Sequence, residues 1–138
     1  MAIEITGMAP LLQVYDIGVS LQFYCDILGF RLVEPAEWSG EYLDWALLEW
    51  QGVQLMLNTI YERELRPPQP DETRSRLHDD VCLFFGCPDV DGAYRHLRQQ
   101  GVTLDPPHNA AYGMRQMYLH DPDGYNLCFQ WPVAESGD

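Results

Sequence analysis

The order of secondary-structure signals repeats along the chain, and this repetition constrains the fold more than any single motif does. Asp16 and Asp89 each end a β-strand pattern and stand where they can cap the helix that follows. Three more strand patterns come after each predicted helix, so each half predicts the order β-α-β-β-β. The identity between the halves is weak, so the order of elements is the evidence for a duplicated supersecondary unit.

Glycines mark where the two predicted helices end. Gly29 and Gly101 both follow the last apolar position of a helical pattern, where a left-handed residue commonly stops a helix. The strand patterns cover 11–16, 30–35, 42–50 and 53–59 in the first half, and 81–89, 102–107, 114–120 and 125–131 in the second. The sequence therefore predicts an α+β fold.

A polar, charged and proline-rich segment, residues 60–80, separates the two patterned regions. Such a composition is typical of a linker or of a mobile excursion over the surface. With 138 residues the chain has the size of one domain. We therefore expect a single domain 1–138, with one module at about 8–59, a linker at 60–80 and a second module at about 81–132.

Composition excludes several classes of function. The net charge is −13, and all 8 basic residues are arginines, which argues against nucleic acid and against anionic membrane surfaces as partners. No apolar run is long enough to predict a transmembrane helix, and the N-terminus lacks the pattern of a signal peptide. The 4 cysteines form no CxxC pair, so we expect reduced thiols and a cytoplasmic location.

Two motifs carry a resemblance to a known superfamily. The sequence "FYCDILGF" (23–30) ends the first predicted helix, and "DPDGYNLCF" (121–129) forms the last predicted hairpin. Together with the duplicated β-α-β-β-β order, they resemble the vicinal oxygen chelate superfamily, which contains glyoxalase I, extradiol dioxygenases and the bleomycin resistance proteins. The resemblance implies two βαβββ modules that form a cup-shaped mixed sheet with helices on its outer face.

The resemblance also implies where a metal would bind. Metal-dependent members of that superfamily use four ligands, usually His, Gln or Glu, from the first and last strand of each module. Counting from the motifs, these positions are Ala9, Met56, Cys82 and Cys128 in this chain. Alanine cannot ligate, a thioether suits Cu(I), and two thiolates alone fall short of a zinc site. We therefore expect no metal and no cofactor, and this chain is closest to the metal-free bleomycin-resistance-like members.

Strand alternation predicts which side chains share the inner face with these four positions. The predicted face combines aromatic side chains and a methionine with neutral amides, as small-molecule pockets do. Such amides can also simply satisfy one another or water. The predicted ligand-binding residues are Gln13, Gln54, Met56, Asn58, Phe84, Gln116, Tyr118, Asn126, Cys128 and Gln130.

The leading hypothesis is a protein that binds a small aromatic or cationic molecule without metal and is not an enzyme. The resemblance also implies a homodimer. One alternative is a metal-dependent lyase, isomerase or dioxygenase of the same superfamily. Another is a metal-free enzyme, for which His108 is the candidate base although no residue is marked out as catalytic. The sequence identifies neither the ligand nor whether residues 60–80 form a lid.

Overall fold

The computed structural model describes residues 2–134. The chain divides into two compact units, one ending at Pro70 and the other beginning at Asp71. This division lies inside the predicted linker, while the exact module boundaries remain a prediction. Each unit contains one four-stranded mixed sheet with helices, as the predicted α+β fold of two βαβββ modules requires.

The N-terminal unit contains β1 (Leu11–Val14), α1 (Ile17–Leu21), β2 (Arg31–Glu34), β3 (Trp45–Trp50) and β4 (Val53–Thr59). Its sheet has the strand order β1-β4-β3-β2, in which only the β1–β4 pair is parallel. Asp16 caps α1, since its carboxylate accepts hydrogen bonds from the backbone N–H groups of Gly18 and Val19.

The C-terminal unit contains α2 (Glu72–Leu77), β5 (Cys82–Gly86), α3 (Val90–Gln99), β6 (His108–Asn109), β7 (Met114–His120) and β8 (Asn126–Pro132). Its strand order, β5-β8-β7-β6, repeats that of the first sheet. The β5–β8 pair is parallel and the other pairs are antiparallel. Asp89 caps α3 through the N–H of Gly92, as predicted.

One face of each sheet supplies the core. On the N-terminal sheet the buried face holds Leu12, Val14, Ala46, Leu48, Leu55 and Leu57. On the C-terminal sheet Met117, Leu119 and Leu127 are buried, together with Val90 and Leu97 of α3. The apolar face that alternation predicts therefore packs under the helix in each unit.

The first predicted helix differs from a regular α-helix. After five residues it continues as a π-helical stretch, Gln22–Ile27. The wider turn buries two consecutive aromatic side chains, Phe23 and Tyr24, whose rings meet edge to face with centroids 5.0 Å apart. A regular α-helix would turn one of these neighbours away from the sheet.

The predicted strand at 102–107 is wrong. These residues form no strand, and the pairing with β7 begins only at His108. Pro106 and Pro107 lack the N–H groups that a strand needs for its ladder. The prediction for 42–50 is also too long, because β3 begins at Trp45.

Part of the segment 60–80 is ordered secondary structure. It contains 3₁₀ turns at Arg63–Leu65 and His78–Asp80 and the helix α2. His78 donates a 2.7 Å hydrogen bond from Nδ1 to the carbonyl of Asp123, and its ring stacks on Tyr125 with centroids 4.1 Å apart. Residues 71–80 therefore pack on the β7–β8 turn. Among residues 2–134, no helix has the length and apolar character needed to cross a membrane.

Candidate functional site

The face of the C-terminal sheet opposite its core combines polar and aromatic side chains, and we call it the C-terminal mixed face. The register brings Cys128 between Phe84 and Tyr118, and Gln130 beside Gln116. Residues in register share a face of the sheet. The C-terminal mixed face consists of Cys82, Phe84, His108, Met114, Gln116, Tyr118, His120, Asn126, Cys128 and Gln130.

Two amides and a phenol form a connected row on this face. Gln116, only 2% exposed, donates a 2.8 Å hydrogen bond from Nε2 to Oε1 of Gln130. Tyr118 donates a 3.4 Å hydrogen bond from its hydroxyl to Oε1 of Gln116. The two amides are therefore oriented by one another, and the bond between them leaves the amino group of Gln130 as a further donor.

Three aromatic rings adjoin this polar row. The ring of Tyr118 lies edge to face with that of Phe84, at a centroid distance of 6.4 Å. His108 lies nearly parallel to Tyr118, with centroids 6.3 Å apart. Phe84 is 54% exposed although it belongs to a sheet face. An exposed ring beside oriented amides is suited to contact a planar ligand.

The phenol and the two thiols of this face are held neutral. Desolvation, with a hydrogen bond to Cys128, raises the pKa of Tyr118 to about 12. Burial is also the main cause that raises the pKa of the Cys128 thiol, and the pKa of Cys82 is raised by burial and by the nearby charge of Asp79. Tyr118 therefore acts as a hydrogen-bonding phenol, and both cysteines are thiols at neutral pH.

The N-terminal sheet has an equivalent surface, the N-terminal mixed face, on the side opposite its core. Met56 pairs in register with Leu11, and Asn58 with Gln13. Asn58 donates a 3.2 Å hydrogen bond to Oε1 of Gln13. Gln54 lies on the same face and is exposed. The N-terminal mixed face consists of Leu11, Gln13, Arg31, Trp45, Leu47, Glu49, Gln54, Met56 and Asn58.

Each sheet brings its own share of the predicted ligand-binding residues onto one surface. Gln13, Gln54, Met56 and Asn58 share the N-terminal mixed face, and the other six share the C-terminal mixed face. His108, the candidate base, lies on β6 and joins the C-terminal mixed face through its pairing with Gln116. Arg115 points elsewhere and forms a bidentate ion pair with Asp91, at 2.7 and 3.1 Å.

The four positions carried over from the superfamily do not fit a divalent metal. In the N-terminal unit Ala9 offers no donor atom and Met56 offers a thioether. In the C-terminal unit Cys82 and Cys128 are thiols whose pKa values are raised. Zinc needs thiolates, and Mg²⁺ or Mn²⁺ prefers oxygen ligands. Within residues 2–134, no three or more His, Cys, Asp or Glu side chains gather in a way that could hold a metal ion.

Sequence reasoning missed a cavity in the N-terminal unit. It has a volume of about 300 Å³ and includes Trp38, Tyr42, Arg63 and Arg66 in its lining. None of the ten predicted residues lines it. The only sequence feature that could have indicated this cavity was weak. It is the pair Arg63 and Arg66, three positions apart in a chain with 8 basic residues.

Comparison with known proteins identifies the family. The model of the glyoxalase/bleomycin resistance protein/dioxygenase superfamily matches residues 7–129. The chain belongs to this superfamily. It is 36% identical over 118 residues to the uncharacterized protein YaeR of Escherichia coli (strain K12), covering 81% of this chain and 84% of that protein.

Solved structures share the fold. A glyoxalase/bleomycin resistance protein/dioxygenase from Nocardioides has a TM-score of 0.71 at 23% identity, covering 100% of this chain and 89% of that chain. TioX from Micromonospora sp. ML1 has a TM-score of 0.70 at 20% identity, covering 93% of this chain and 99% of that chain. These likenesses concern the fold alone.

Proposed function

We propose that this member of the superfamily binds a small aromatic or cationic molecule on its mixed faces, without a metal at the positions carried over from the superfamily. The observation that carries the proposal is the environment of Cys128. At the last of the four positions, a fully buried thiol is hydrogen-bonded to Tyr118 within a row of neutral groups. A buried, neutral and already hydrogen-bonded thiol is a poor ligand for a divalent ion, which leaves binding on this face to the neutral groups around Cys128.

The C-terminal mixed face supplies the two kinds of contact that orient a small molecule. Phe84 and Tyr118 offer ring surface, while the amide of Gln130, which is oriented by the buried Gln116, offers hydrogen bonds from a fixed position. The net charge of −13 attracts cations over a longer range. A planar aromatic cation satisfies all three features.

Equilibrium binding of proflavine, a planar aromatic cation, tests this proposal. We expect saturable binding that Phe84→Ala weakens about fivefold, because an aromatic contact contributes about 1 kcal/mol. Trp50→Ala is the matched control, since Trp50 is 50% exposed and lies outside the predicted set. Bleomycin provides a second, larger probe. The absence of saturable binding of both compounds would overturn the proposal.

One observation supports a second candidate, a metal-free enzyme. His108 is exposed and lies on the same face as the polar row, with its ring parallel to that of Tyr118. A histidine in such a place could transfer a proton on a bound substrate. If proflavine binding is unchanged in His108→Ala while a turnover assay loses its signal, His108 acts as a base and the protein is an enzyme.

We further propose a cytoplasmic homodimer. The four cysteines are free thiols, as expected in a reducing compartment. Light scattering coupled to size-exclusion chromatography tests the dimer directly. A mass of twice 15.9 kDa is the expected result, and a clean monomer of 15.9 kDa contradicts it.

A further inference from the structure

The cavity in the N-terminal unit lies beside the start of α1 and is separate from the N-terminal mixed face. Its lining comes from three segments that are distant in sequence. These are the residues 16–18, the segment 38–43 after β2, and the turn that carries two arginines. The lining residues are Asp16, Ile17, Gly18, Trp38, Gly40, Glu41, Tyr42, Leu43, Arg63 and Arg66.

The two arginines of the cavity differ in how they are paired. Arg66 forms an ion pair with Asp16, with 3.5 Å between Nη1 and Oδ2, and lies over the ring of Tyr15. Arg63 lies over the ring of Tyr42, with Cζ 5.6 Å from the ring centroid. Among residues 2–134, no carboxylate lies within ion-pair distance of the Arg63 guanidinium.

The two acidic residues of the lining are already engaged. Asp16 accepts the 2.9 Å hydrogen bond of its N-cap from Gly18 and pairs with Arg66. Glu41 accepts hydrogen bonds from the backbone N–H and the hydroxyl of Ser39, at 2.9 and 2.6 Å, and these bonds lower the pKa of Glu41. Within residues 2–134, neither the Glu41 carboxylate nor the Arg63 guanidinium of this lining has an ion-pair partner. The Glu41 carboxylate is occupied by the hydrogen bonds from Ser39, so Arg63 is the charged group left to receive a ligand of opposite charge.

An indole ring forms part of the wall. Trp38 donates a 2.6 Å hydrogen bond from Nε1 to the carbonyl of Glu41. Its six-membered ring lies 3.7 Å from the point where a Cβ on Gly18 would stand. The indole is therefore held against the start of α1, and the ring borders the same space as the Arg63 guanidinium.

We propose that this cavity is a second binding site, for small molecules that carry a carboxylate on an aromatic ring. The carboxylate of the ligand accepts two parallel hydrogen bonds from the planar guanidinium of Arg63, and the aromatic ring of the ligand packs on Trp38. A volume of about 300 Å³ is at the lower end of ligand pockets and accommodates a single-ring compound. The site differs in place and in charge preference from the mixed faces.

Titration with benzoate, followed by ¹H–¹⁵N NMR, tests the proposal. The indole N–H signal of Trp38, assigned with Trp38→Phe, should shift in a saturable way. Acetate lacks the ring and benzylamine carries the opposite charge, so both should bind at least tenfold more weakly. Arg63→Gln should weaken benzoate binding about tenfold.

Arg76→Gln is the matched control, because it makes the same charge change on exposed helix α2 outside the cavity. Benzoate affinity should be unchanged in Arg76→Gln and in Phe84→Ala, which separates this site from the proposed proflavine site. The proposal is overturned if benzoate shifts no Trp38 signal, or if Arg63→Gln and Arg76→Gln bind it equally well. Trp38→Phe lacks the indole N–H signal, so benzoate binding to this variant is followed by the side-chain signal of Arg63 instead.

Discussion

Burial keeps the cysteine side chains protonated at every position in this molecule. The pKa values of Cys25, Cys82, Cys87 and Cys128 are all raised, and desolvation is the largest cause in each case. A thiol is the weaker nucleophile and the weaker metal ligand of the two protonation states. The cysteines therefore behave as small apolar residues, which is consistent with the interpretation of Cys128 as a replaced ligand.

Cys25 shows the largest such effect and predicts a dependence of stability on pH. Its pKa is raised from 9.0 to about 11, mainly by desolvation and also by Asp26. Between these values the unfolded chain releases the proton while the folded chain keeps it. The free energy of unfolding should therefore decrease as pH rises from 9.0 to about 11.

Urea unfolding in reducing buffer across this pH range measures the effect. The wild type should lose stability more steeply than Cys25→Ser, since serine does not titrate there. Parallel pH profiles for the two proteins would show that Cys25 is not held in the thiol form by the fold.

At the scale of elements, the C-terminal unit has two capped helices, and only one of them buries side chains in the core. Asp89 caps α3, which buries Val90 and Leu97, whereas Asp71 caps α2, in which no residue is buried. Asp89→Ala should lower the free energy of unfolding by about 1 kcal/mol. Asp71→Ala should change it by less than about 0.5 kcal/mol, because fraying of an exposed helix exposes no core.

Urea denaturation followed by circular dichroism compares the two variants. Equal losses of stability in Asp71→Ala and Asp89→Ala would mean that α2 contributes to the core as much as α3 does.

The packing of α2 on the β7–β8 turn gives a second test at this scale. Gly124 has a φ of +89°, and a Cβ there would collide with the backbone carbonyl of Ser75 in α2. Gly113 has a φ of +85° with open space around it. Gly113→Ala should cost about 1 kcal/mol for the left-handed backbone alone, and Gly124→Ala should cost clearly more.

Thermal and urea unfolding of the two glycine variants distinguish strain from contact. If Gly124→Ala is no more destabilised than Gly113→Ala, the contact between α2 and the turn does not exist in solution.

Alternation and capping explain why most elements could be predicted from the sequence. Asp16 and Asp89 cap their helices as expected, and Gly29 and Gly101 both adopt positive φ after them. The assignment of side chains to two faces also succeeded within each sheet, because strand periodicity is a local property. The π-helical stretch at Gln22–Ile27 was missed because α and π patterns share nearly the same apolar positions.

The features that were missed depend on contacts between distant residues. The stacking of His78 on Tyr125 joins the predicted linker to a turn far along the chain. Strand alternation placed Gln116 and Gln130 on one face, but it could not decide whether their amides bond to each other or to a ligand. In the structure they bond to each other. The cavity beside Arg63 depends on the conformation of two irregular segments, for which periodicity gives no signal.

At the scale of the whole molecule, the chain has two βαβββ units, as its superfamily does, and the four positions carried over by resemblance hold side chains that do not fit a divalent metal. The same βαβββ scaffold supports many functions, so membership in the superfamily does not determine the activity. The side chains at Ala9, Met56, Cys82 and Cys128 are the reason why we propose that a ligand is held by neutral groups, without a metal at these positions.

The most direct test combines metal analysis with proflavine binding on one sample, purified without chelator and then treated with EDTA. We predict a divalent metal content far below one ion per chain and an unchanged dissociation constant for proflavine after EDTA. Near-stoichiometric metal together with binding that EDTA abolishes would contradict the account.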